Sequence, residues 1–365
     1  MSDLNSILKE MLAAAGPVTF ARFMELALYH PEHGYYERRA SRVGKRGDFF
    51  TSVSVGPLFG GLWAWQFAEW AAAGRDQPLI WLEAGAHDGR LAADFLMALE
   101  RQRPDCWERM EYWILEPSVK RRQWQEEALS RWLSKTKWFP NWAALPATGV
   151  RGAVFSNELL DAFPVHRLGW SRESAAWFEW GVTWEGGRFD WVRMPGNPPV
   201  AAELDNTPPE LRAVLPDGFT VDLCPAATIW WEEAARRLRS GWLVAVDYGL
   251  TAEQRFAPGR ANGTLRAYAG HRLATDLLAR PGEQDLTADV DFTALIKAGE
   301  RMGLRLDIFA SQSQFLTRIA AQMWAAGVAW DAVQTRQFQT LIHPEHLGRA
   351  FQVLVQRPGA VVSAA

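Results

Sequence analysis

The hydrophobic positions of the first seventy residues recur at helical spacing. Residues 4–14 place five apolar side chains on one helical face: Leu4, Ile7, Leu8, Met11 and Leu12. Thr19 is a suitable N-cap for a second helix, which ends before Pro31 because a residue that precedes proline disfavours helical backbone. Pro57 suits the first turn of a third helix. The pattern therefore predicts a helical N-terminal cover over residues 1–74, with a glycine-bearing loop inside it.

The pattern changes after Pro78, where short apolar runs alternate with helical periods. Six runs are predicted as strands: Leu79–Leu82, Tyr112–Leu115, Ala153–Phe155, Trp242–Val246, Leu304–Phe309 and Phe351–Val355. Apolar strands joined by helices are typical of a parallel sheet that is covered on both faces. We therefore predict an α/β fold over residues 75–365, with a mostly parallel sheet and an antiparallel end formed by the last two strands.

Two stretches interrupt this alternation. Residues 165–225 contain short aromatic segments between turn residues, and Glu185-Gly186-Gly187 suits a hairpin turn, which predicts a small antiparallel insertion. Residues 311–345 contain two helical periods and predict a helical insertion.

Charge narrows the classes of partner. Lys and Arg total 39, Asp and Glu total 42, and the formal net charge is −3. This balance excludes a simple basic nucleic-acid coat and a polybasic membrane binder. No apolar run approaches the roughly 18 residues that a membrane span needs. We expect no nucleic-acid and no membrane partner, and the sequence leaves the oligomeric state open, with a homodimer as one option.

The cysteines and the N-terminus suggest a compartment. Cys106 and Cys224 are too few for a disulfide framework or a four-cysteine zinc site, which favours a reducing environment. The start Met-Ser-Asp-Leu-Asn lacks the features of a secretory or transit peptide. We therefore predict a cytoplasmic location. The seven histidines are scattered, so no metal site is predicted.

The first motif that bears chemistry runs from Glu83 to Gly89 between a predicted strand and helix. Glycines there make a tight turn and let the backbone approach a ligand. A dinucleotide fingerprint that starts at Gly85 fails at His87 and at Arg90, which disfavours a nicotinamide dehydrogenase. The acid Glu83 at the strand end suits a cationic ligand such as S-adenosylmethionine. An ordinary strand–turn–helix connection is the alternative.

Further acids follow the later strands. Glu116 ends the second strand, where a carboxylate can accept the hydroxyls of a ribose, although a solvated acid is an equal alternative. Asn157, Glu158 and Asp161 follow the third strand directly. Ligands of open α/β sheets bind at the carboxyl ends of the strands. Paired carboxylates can hold a guanidinium group there, although Asp161 can equally cap the next helix.

The last motifs lie in the second half of the chain. Asp247-Tyr248-Gly249 again follows a strand, and the segment from Gly263 to Tyr268 comes next, with His271 close behind. A polar loop over residues 281–292 then leads into a helix, and part of it is expected to cap that helix.

Taken in order, these segments resemble the MidA family of class I S-adenosylmethionine-dependent methyltransferases. The resemblance covers nearly the whole chain and rests on Tyr29–Tyr36, Gly47–Thr51, Leu58–Gly60, Asn157–Val165, Asp247–Gly249, Gly263–Leu265, Asp285–Thr287 and Val290–Phe292. Several long motifs in a fixed order are far more specific than one glycine loop.

The resemblance implies a seven-stranded methyltransferase sheet with helices on both faces. It implies that S-adenosylmethionine is bound by Gly47, Asp48, Thr51, Glu83, Gly85, His87, Gly89, Glu116 and Asn157. It implies that the catalytic residues are Asn157, Glu158 and Asp161, and that Asp247, Tyr248 and His271 border the substrate pocket. Mitochondrial members of the family are complex I assembly factors, and their branch is associated with arginine methylation of a respiratory-complex subunit. A protein substrate, with arginine as the acceptor, is therefore expected.

This sequence departs from the family pattern near the expected site. His87 stands where the family has glycine, Ser52–Val55 follows Thr51 where the family has a Pro-Glu pair, and Asp289 replaces a family histidine. These departures keep open an alternative from another class, a non-catalytic assembly or interaction protein on a methyltransferase scaffold.

Overall fold

The computed structural model describes residues 4–38, 51–72, 79–205, 207–269, 272–345 and 347–359. The chain forms two compact units. The sheet unit comprises Val43–Leu160, Ile229–Gly249 and Leu295–Ala365, and the second unit comprises Met1–Arg42, Asp161–Thr228 and Leu250–Ala294.

A path of seven strands, counted over the described residues, organises the sheet unit. The strands are β1 (Leu79–Ala84), β2 (Met110–Leu115), β3 (Thr136–Phe139), β4 (Val150–Asn157), β5 (Leu238–Leu250), β6 (Leu304–Ser311) and β7 (Phe351–Pro358). Their order is β3-β2-β1-β4-β5-β7-β6. β1 to β5 pair in parallel, and β7 is antiparallel to both β5 and β6. The predicted α/β class, the mostly parallel sheet and its antiparallel end are confirmed.

Helices connect these strands. Their bounds are Ser52–Val55, Leu58–Ala71, Arg90–Gln102, Pro104–Arg109, Val119–Ala128, Pro225–Arg237, Phe292–Arg301, Gln312–Ala325 and Ala332–Ile342. The last two lie between β6 and β7 and form the predicted helical insertion. Among the residues that the structure describes, no helix is long and apolar enough to cross a bilayer.

Aromatic side chains fill the core of the sheet unit. Trp63 of helix Leu58–Ala71 and Trp81 of β1 are each about 1% exposed. Both rings contact Phe155 of β4, with ring centroids 4.8 Å away in each case. Large aromatic rings bury much apolar area, so this contact joins the helix to the middle of the sheet. Trp63 and Trp81 thus serve to pack the core of the sheet unit.

The second unit is built on antiparallel strands. One sheet contains Val18–Thr19, His166–Ser171, Ala176–Glu185, Arg188–Arg193 and Thr220–Leu223, and a smaller one contains Arg266–Ala269, Arg272–Leu273 and Asp285–Thr287. The helices of this unit are Leu4–Ala15, Phe20–Tyr29, Pro209–Val214 and Ala252–Arg255. The hairpin at Gly186 and Gly187 is confirmed, because both residues have a positive φ between paired strands.

The boundary predicted at residue 74 differs from this division. Leu4, Phe20 and Phe23 of the N-terminal helices share an apolar cluster with Val182 and Phe189 of the insertion. Helix Leu58–Ala71 instead belongs to the sheet unit. The antiparallel strands cover the apolar faces of the first two helices. The boundary therefore depends on long-range packing, and local periodicity does not encode such packing.

Gly241 has a different role from the one that its neighbours suggest. Its position after a helical period resembles a helix stop. It lies instead inside β5 with φ +109°, opposite Gly152 of β4, which has φ +138°. A Cβ on Gly152 would collide with the carbonyl oxygen of Ile80 in β1. The two glycines therefore allow the three central strands to approach each other.

We expect Gly152→Ala to lower the free energy of unfolding by about 3 kcal/mol, because the added methyl group collides with backbone that cannot move away. Gly196→Ala is the matched control. Gly196 also has a positive φ, of +83°, but open space surrounds its missing Cβ, so the loss there is about 1 kcal/mol. Urea unfolding measures both values. Equal losses would contradict the steric explanation.

Candidate active site

The turn after β1 has the conformation of a ligand-binding glycine loop. Gly85 and Gly89 have φ values of +82° and +80°, and helix Arg90–Gln102 begins directly after them. A Cβ on Gly85 would come within 3.1 Å of the Leu159 side chain, so a larger residue would crowd this turn. The sequence prediction of a tight, bare turn at the carboxyl end of β1 agrees with this geometry.

His87 adopts a backbone conformation that favours glycine. Its φ is +46°, in the left-handed region that few residues with a side chain occupy. The ring centroid lies 6.4 Å from that of Trp124. Nδ1 is buried and has no hydrogen-bond partner among the described residues. Burial lowers the pKa of His87, and the nearby carboxylate of Asp88 opposes that shift, so the neutral imidazole is favoured.

Glu83 is buried beneath this turn. Its carboxylate is 2% exposed and accepts a hydrogen bond of 2.7 Å from the Tyr112 hydroxyl. Burial raises the pKa of Glu83 to about 7, and the Tyr112 hydrogen bond acts in the opposite direction. Near neutral pH, this site therefore contains a carboxyl group that exchanges a proton.

Glu116 at the end of β2 is held by the helix that follows it. Its Oε1 accepts from the backbone N–H of Ser118 at 2.8 Å and from Nε of Arg121 at 2.9 Å. Its Oε2 accepts from Nε2 of Gln125 at 2.8 Å. The same Gln125 nitrogen lies 3.1 Å from the carbonyl oxygen of His87. Gln125 thus connects the carboxyl end of β2 with the glycine loop through these two hydrogen bonds.

Two adjacent side chains project from the end of β4. Asn157 is 7% exposed, and its Nδ2 donates to Oε1 of Glu158 at 3.0 Å. The Asn157 Oδ1 atom is buried and has no partner in the described part of the chain. Glu158 has φ +50°, and its backbone N–H donates to the carbonyl oxygen of Val246 at 2.9 Å. Its Oε1 also accepts from the backbone N–H of Ser52 at 3.2 Å.

Asp247 holds this turn together. It is 1% exposed, and its Oδ2 accepts from the backbone N–H groups of Leu159 and Leu160 at 3.2 and 2.9 Å. Its Oδ1 accepts from the backbone N–H of Tyr248 at 2.9 Å. The Tyr248 ring lies against Phe351, with centroids 4.0 Å apart. These hydrogen bonds of the Asp247 carboxylate hold the chain in place after β4, and the substrate-pocket role of Asp247 stays a prediction.

Five predicted site residues remain. Asp161 belongs to the second unit, where it is 5% exposed and its carbonyl oxygen accepts from the N–H of Ala288. Thr51 caps helix Ser52–Val55, with Oγ1 accepting from the N–H of Ser54 at 3.1 Å. Gly47, Asp48 and His271 lie outside the described residues. The ligand roles of all five residues stay predictions.

The sequence analysis did not assign Ser52 or Gln125 to this site. Ser52 donates to Glu158 although it stands far from it in the chain, and Gln125 connects Glu116 with the glycine loop. Gln125 carries no local signal, because it is the one buried residue of helix Val119–Ala128 and no apolar stripe marks its face. The departure of residues 52–55 from the family pattern points to the segment of Ser52, but it does not reveal the hydrogen bond, because the donor is a backbone group that every residue except proline has.

A family model described as an S-adenosyl-L-methionine-dependent methyltransferase matches residues 62–310, which is more than half of the chain. The chain belongs to this family. Membership in this methyltransferase family confirms the predicted resemblance, the enzyme class and the cofactor, and it excludes the nicotinamide dehydrogenase alternative.

Curated relatives of this methyltransferase span most of its length. Protein arginine methyltransferase NDUFAF7 of Danio rerio is 29% identical and the alignment covers 96% of this chain and 87% of the relative. The Drosophila melanogaster homolog of that protein is 26% identical, over 98% and 85%. Both are named as mitochondrial proteins, and this finding contradicts the predicted cytoplasmic location.

A solved structure supports the fold and the cofactor. A Burkholderia thailandensis protein crystallised with S-adenosyl-homocysteine has a TM-score of 0.85 and 29% identity, and the match covers 97% of this chain and 91% of that one. A native structure of a protein from the same organism has a TM-score of 0.82. These matches show that the methyltransferase fold extends over nearly the whole chain.

The sheet unit contains groups that fit this cofactor. The buried Nδ1 of His87 has no hydrogen-bond partner among the described residues, so a polar group of a bound cofactor would supply one. Oε2 of Glu116 accepts only the Gln125 bond among the described contacts, which leaves an acceptor position for a ribose hydroxyl. His87 has a positive φ, a conformation that glycine adopts readily, so the turn has the backbone shape that suits a glycine at this position.

The stability contribution of Glu83 should depend on pH. Its pKa is raised on folding, to about 7, so its contribution is fully present below its unfolded pKa and is lost as the pH rises through 7. We expect the free energy of unfolding of Glu83→Gln, taken relative to that of the wild type, to increase by an amount on the order of 3 kcal/mol between pH 4.5 and pH 8.

Urea unfolding at both pH values measures this difference. Tyr112→Phe is the control, because it keeps the carboxyl group but removes the donor that opposes the shift, and it should make the loss on raising the pH larger. A difference between Glu83→Gln and the wild type that stays constant with pH would contradict the assignment.

Proposed function

We propose that this methyltransferase acts on an arginine side chain of a protein substrate. The names of the relatives support an arginine acceptor, since the Danio rerio and Drosophila melanogaster proteins are both named protein arginine methyltransferases. A role in the assembly of respiratory complex I, which the MidA resemblance implies, is part of the same proposal.

One observation supports this proposal most directly. Oδ1 of Asn157 is a buried acceptor without a partner in the described residues, and the Glu158 carboxylate stands beside it, bonded to the amide of the same asparagine. A guanidinium group carries five N–H donors and no acceptor. Two neighbouring oxygens, one of them charged, are therefore the complement that such a group requires.

Methyl transfer to a guanidinium nitrogen requires few other contributions from the protein. When bound, S-adenosylmethionine supplies an electrophilic methyl group on its sulfonium. The protein must orient one guanidinium nitrogen and remove the proton that this nitrogen loses when its new N–C bond forms. Oδ1 of Asn157 accepts an N–H bond and fixes the plane of the group, and the Glu158 carboxylate receives the released proton.

Asp247 at the end of β5 is poorly suited to accepting that proton. Its carboxylate already accepts three backbone N–H bonds. Accepting several N–H bonds stabilises an ionised carboxylate and makes it a weak base. Glu158 follows the strand directly, at the carboxyl edge where ligands of open α/β sheets bind, and this position favours it as the acceptor-binding acid.

We expect Glu158→Gln to lower methyl incorporation about 100-fold or more, because an amide cannot take the proton. Transfer from tritium-labelled S-adenosylmethionine into lysate protein freed of small molecules measures the rate, and hydrolysed product shows whether the label is on arginine. Cofactor binding by calorimetry should stay within about twofold, since the charge acts on the acceptor. Glu185→Gln in the exposed hairpin is the control and should leave the rate unchanged. Label on another residue type, or an unaffected rate in Glu158→Gln, would refute the assignment.

A further inference from the structure

Buried hydrogen bonds connect Glu158 with the helical insertion. The backbone N–H of Ser52 donates to Oε1 of Glu158 at 3.2 Å, and the Ser52 hydroxyl donates to Oε1 of Gln312 at 3.1 Å. Nε2 of Gln312 donates to the carbonyl oxygen of Leu341 at 3.0 Å. Ser52 and Gln312 are both 0% exposed. The first helix of the insertion therefore reaches the candidate active site through a single serine.

A second glutamine of the insertion fixes the far end of the same segment. The backbone N–H of Leu58 donates to Oε1 of Gln337 at 3.0 Å. Gly56 has φ +144°, and a Cβ there would collide with the Gln337 amide. Residues 51–58 are thus held at both ends, by Gln312 and by Gln337.

A buried chain of hydrogen bonds is stable only when each of its donors and acceptors has a partner. Because a buried amide or hydroxyl that loses its partner is destabilising, the chain of bonds favours a geometry in which every bond is made. Glu158 itself has φ +50°, a conformation that persists only where the surroundings impose it. The position of Ser52 determines where the donor for the Glu158 carboxylate lies.

We propose that Ser52 and Gln312 are positioning residues, which hold the Glu158 carboxylate in the orientation that methyl transfer requires. This inference rests on the proposed function of Glu158. It assigns the helical insertion between β6 and β7 a role in turnover, beyond its contribution to the core of the sheet unit.

Three substitutions of Ser52 separate its two hydrogen bonds. Ser52 is the first residue of its helix, a position that accepts proline, and Thr51 before it has the extended backbone (φ −100°, ψ 161°) that proline requires. Ser52→Pro removes both the backbone N–H and the hydroxyl, Ser52→Ala removes only the hydroxyl, and Ser52→Thr keeps both.

We expect the apparent kcat to fall in the order Thr, Ala, Pro. Ser52→Thr should stay near the wild type, Ser52→Ala should lose about threefold to tenfold, and Ser52→Pro should lose about 10- to 100-fold. The KM for S-adenosylmethionine should not change in any of them. Gln312→Met should lose at least as much as Ser52→Ala, because it also removes the donor to the carbonyl oxygen of Leu341. Adding Ser52→Ala to Gln312→Met should cost nothing further, because the bond that the two residues share is already broken. Thermal unfolding identifies a variant that merely fails to fold.

Hydrogen exchange supplies a readout that needs no activity. Gln312→Met should speed amide exchange in the peptides that cover residues 51–58 and 156–160, while the β1 peptide, residues 79–84, stays unchanged as the internal control. A wild type that transfers no methyl group to protein refutes the proposed function, whereas the exchange result still decides whether Gln312 orders Glu158. An active wild type with equal kcat in all three Ser52 variants, or unchanged exchange in Gln312→Met, overturns the positioning role alone.

Discussion

The carboxylate of Asp247 is the constraint on which the candidate site depends. It is buried at the end of β5 and accepts the N–H groups of Leu159, Leu160 and Tyr248. A buried carboxylate needs such donors, and these backbone groups need an acceptor because the chain turns too sharply after β4 to supply one. The mutual requirement fixes the turn, and the turn gives Glu158 its left-handed conformation.

The acids at the strand ends differ in the donors that surround them. Asp247 faces backbone, Glu116 faces Arg121 and Gln125, and Glu83 faces a single tyrosine hydroxyl within the core. Because of these surroundings, Asp247 shapes a turn, Glu116 anchors a helix, and Glu83 retains a proton near neutral pH. The fourth acid, Glu158, is the candidate for the acceptor site, and the neighbouring Asn157, whose amide donates to it, distinguishes it from the other three.

Much of the central sheet could be predicted from the local pattern of apolar residues. β1, β2 and β4 are continuous apolar runs because both of their faces are covered, and glycine or proline limits the helices between them. β3 escaped prediction, since Thr136–Phe139 is a short edge strand with polar positions. The role of Gly241 depends on Gly152, which is distant in the sequence but opposite in the sheet, so its sequence neighbours do not indicate it. The boundary predicted at residue 74 differs from the observed division into units for the same reason, because the first helices pack on strands that come much later in the chain.

The sequence alone determined the fold class, the methyltransferase resemblance and the edge of the sheet that carries the polar residues. These properties follow from local periodicity and from motifs whose residues are adjacent in the chain. Only the tertiary structure decided which hydrogen-bond donors surround each of these acids. These donors include the N–H of Ser52 and the amide of Gln125, which packing brings to the strand ends from distant segments. Hydrogen bonds act over about 3 Å in space, and separation along the chain does not reveal that distance.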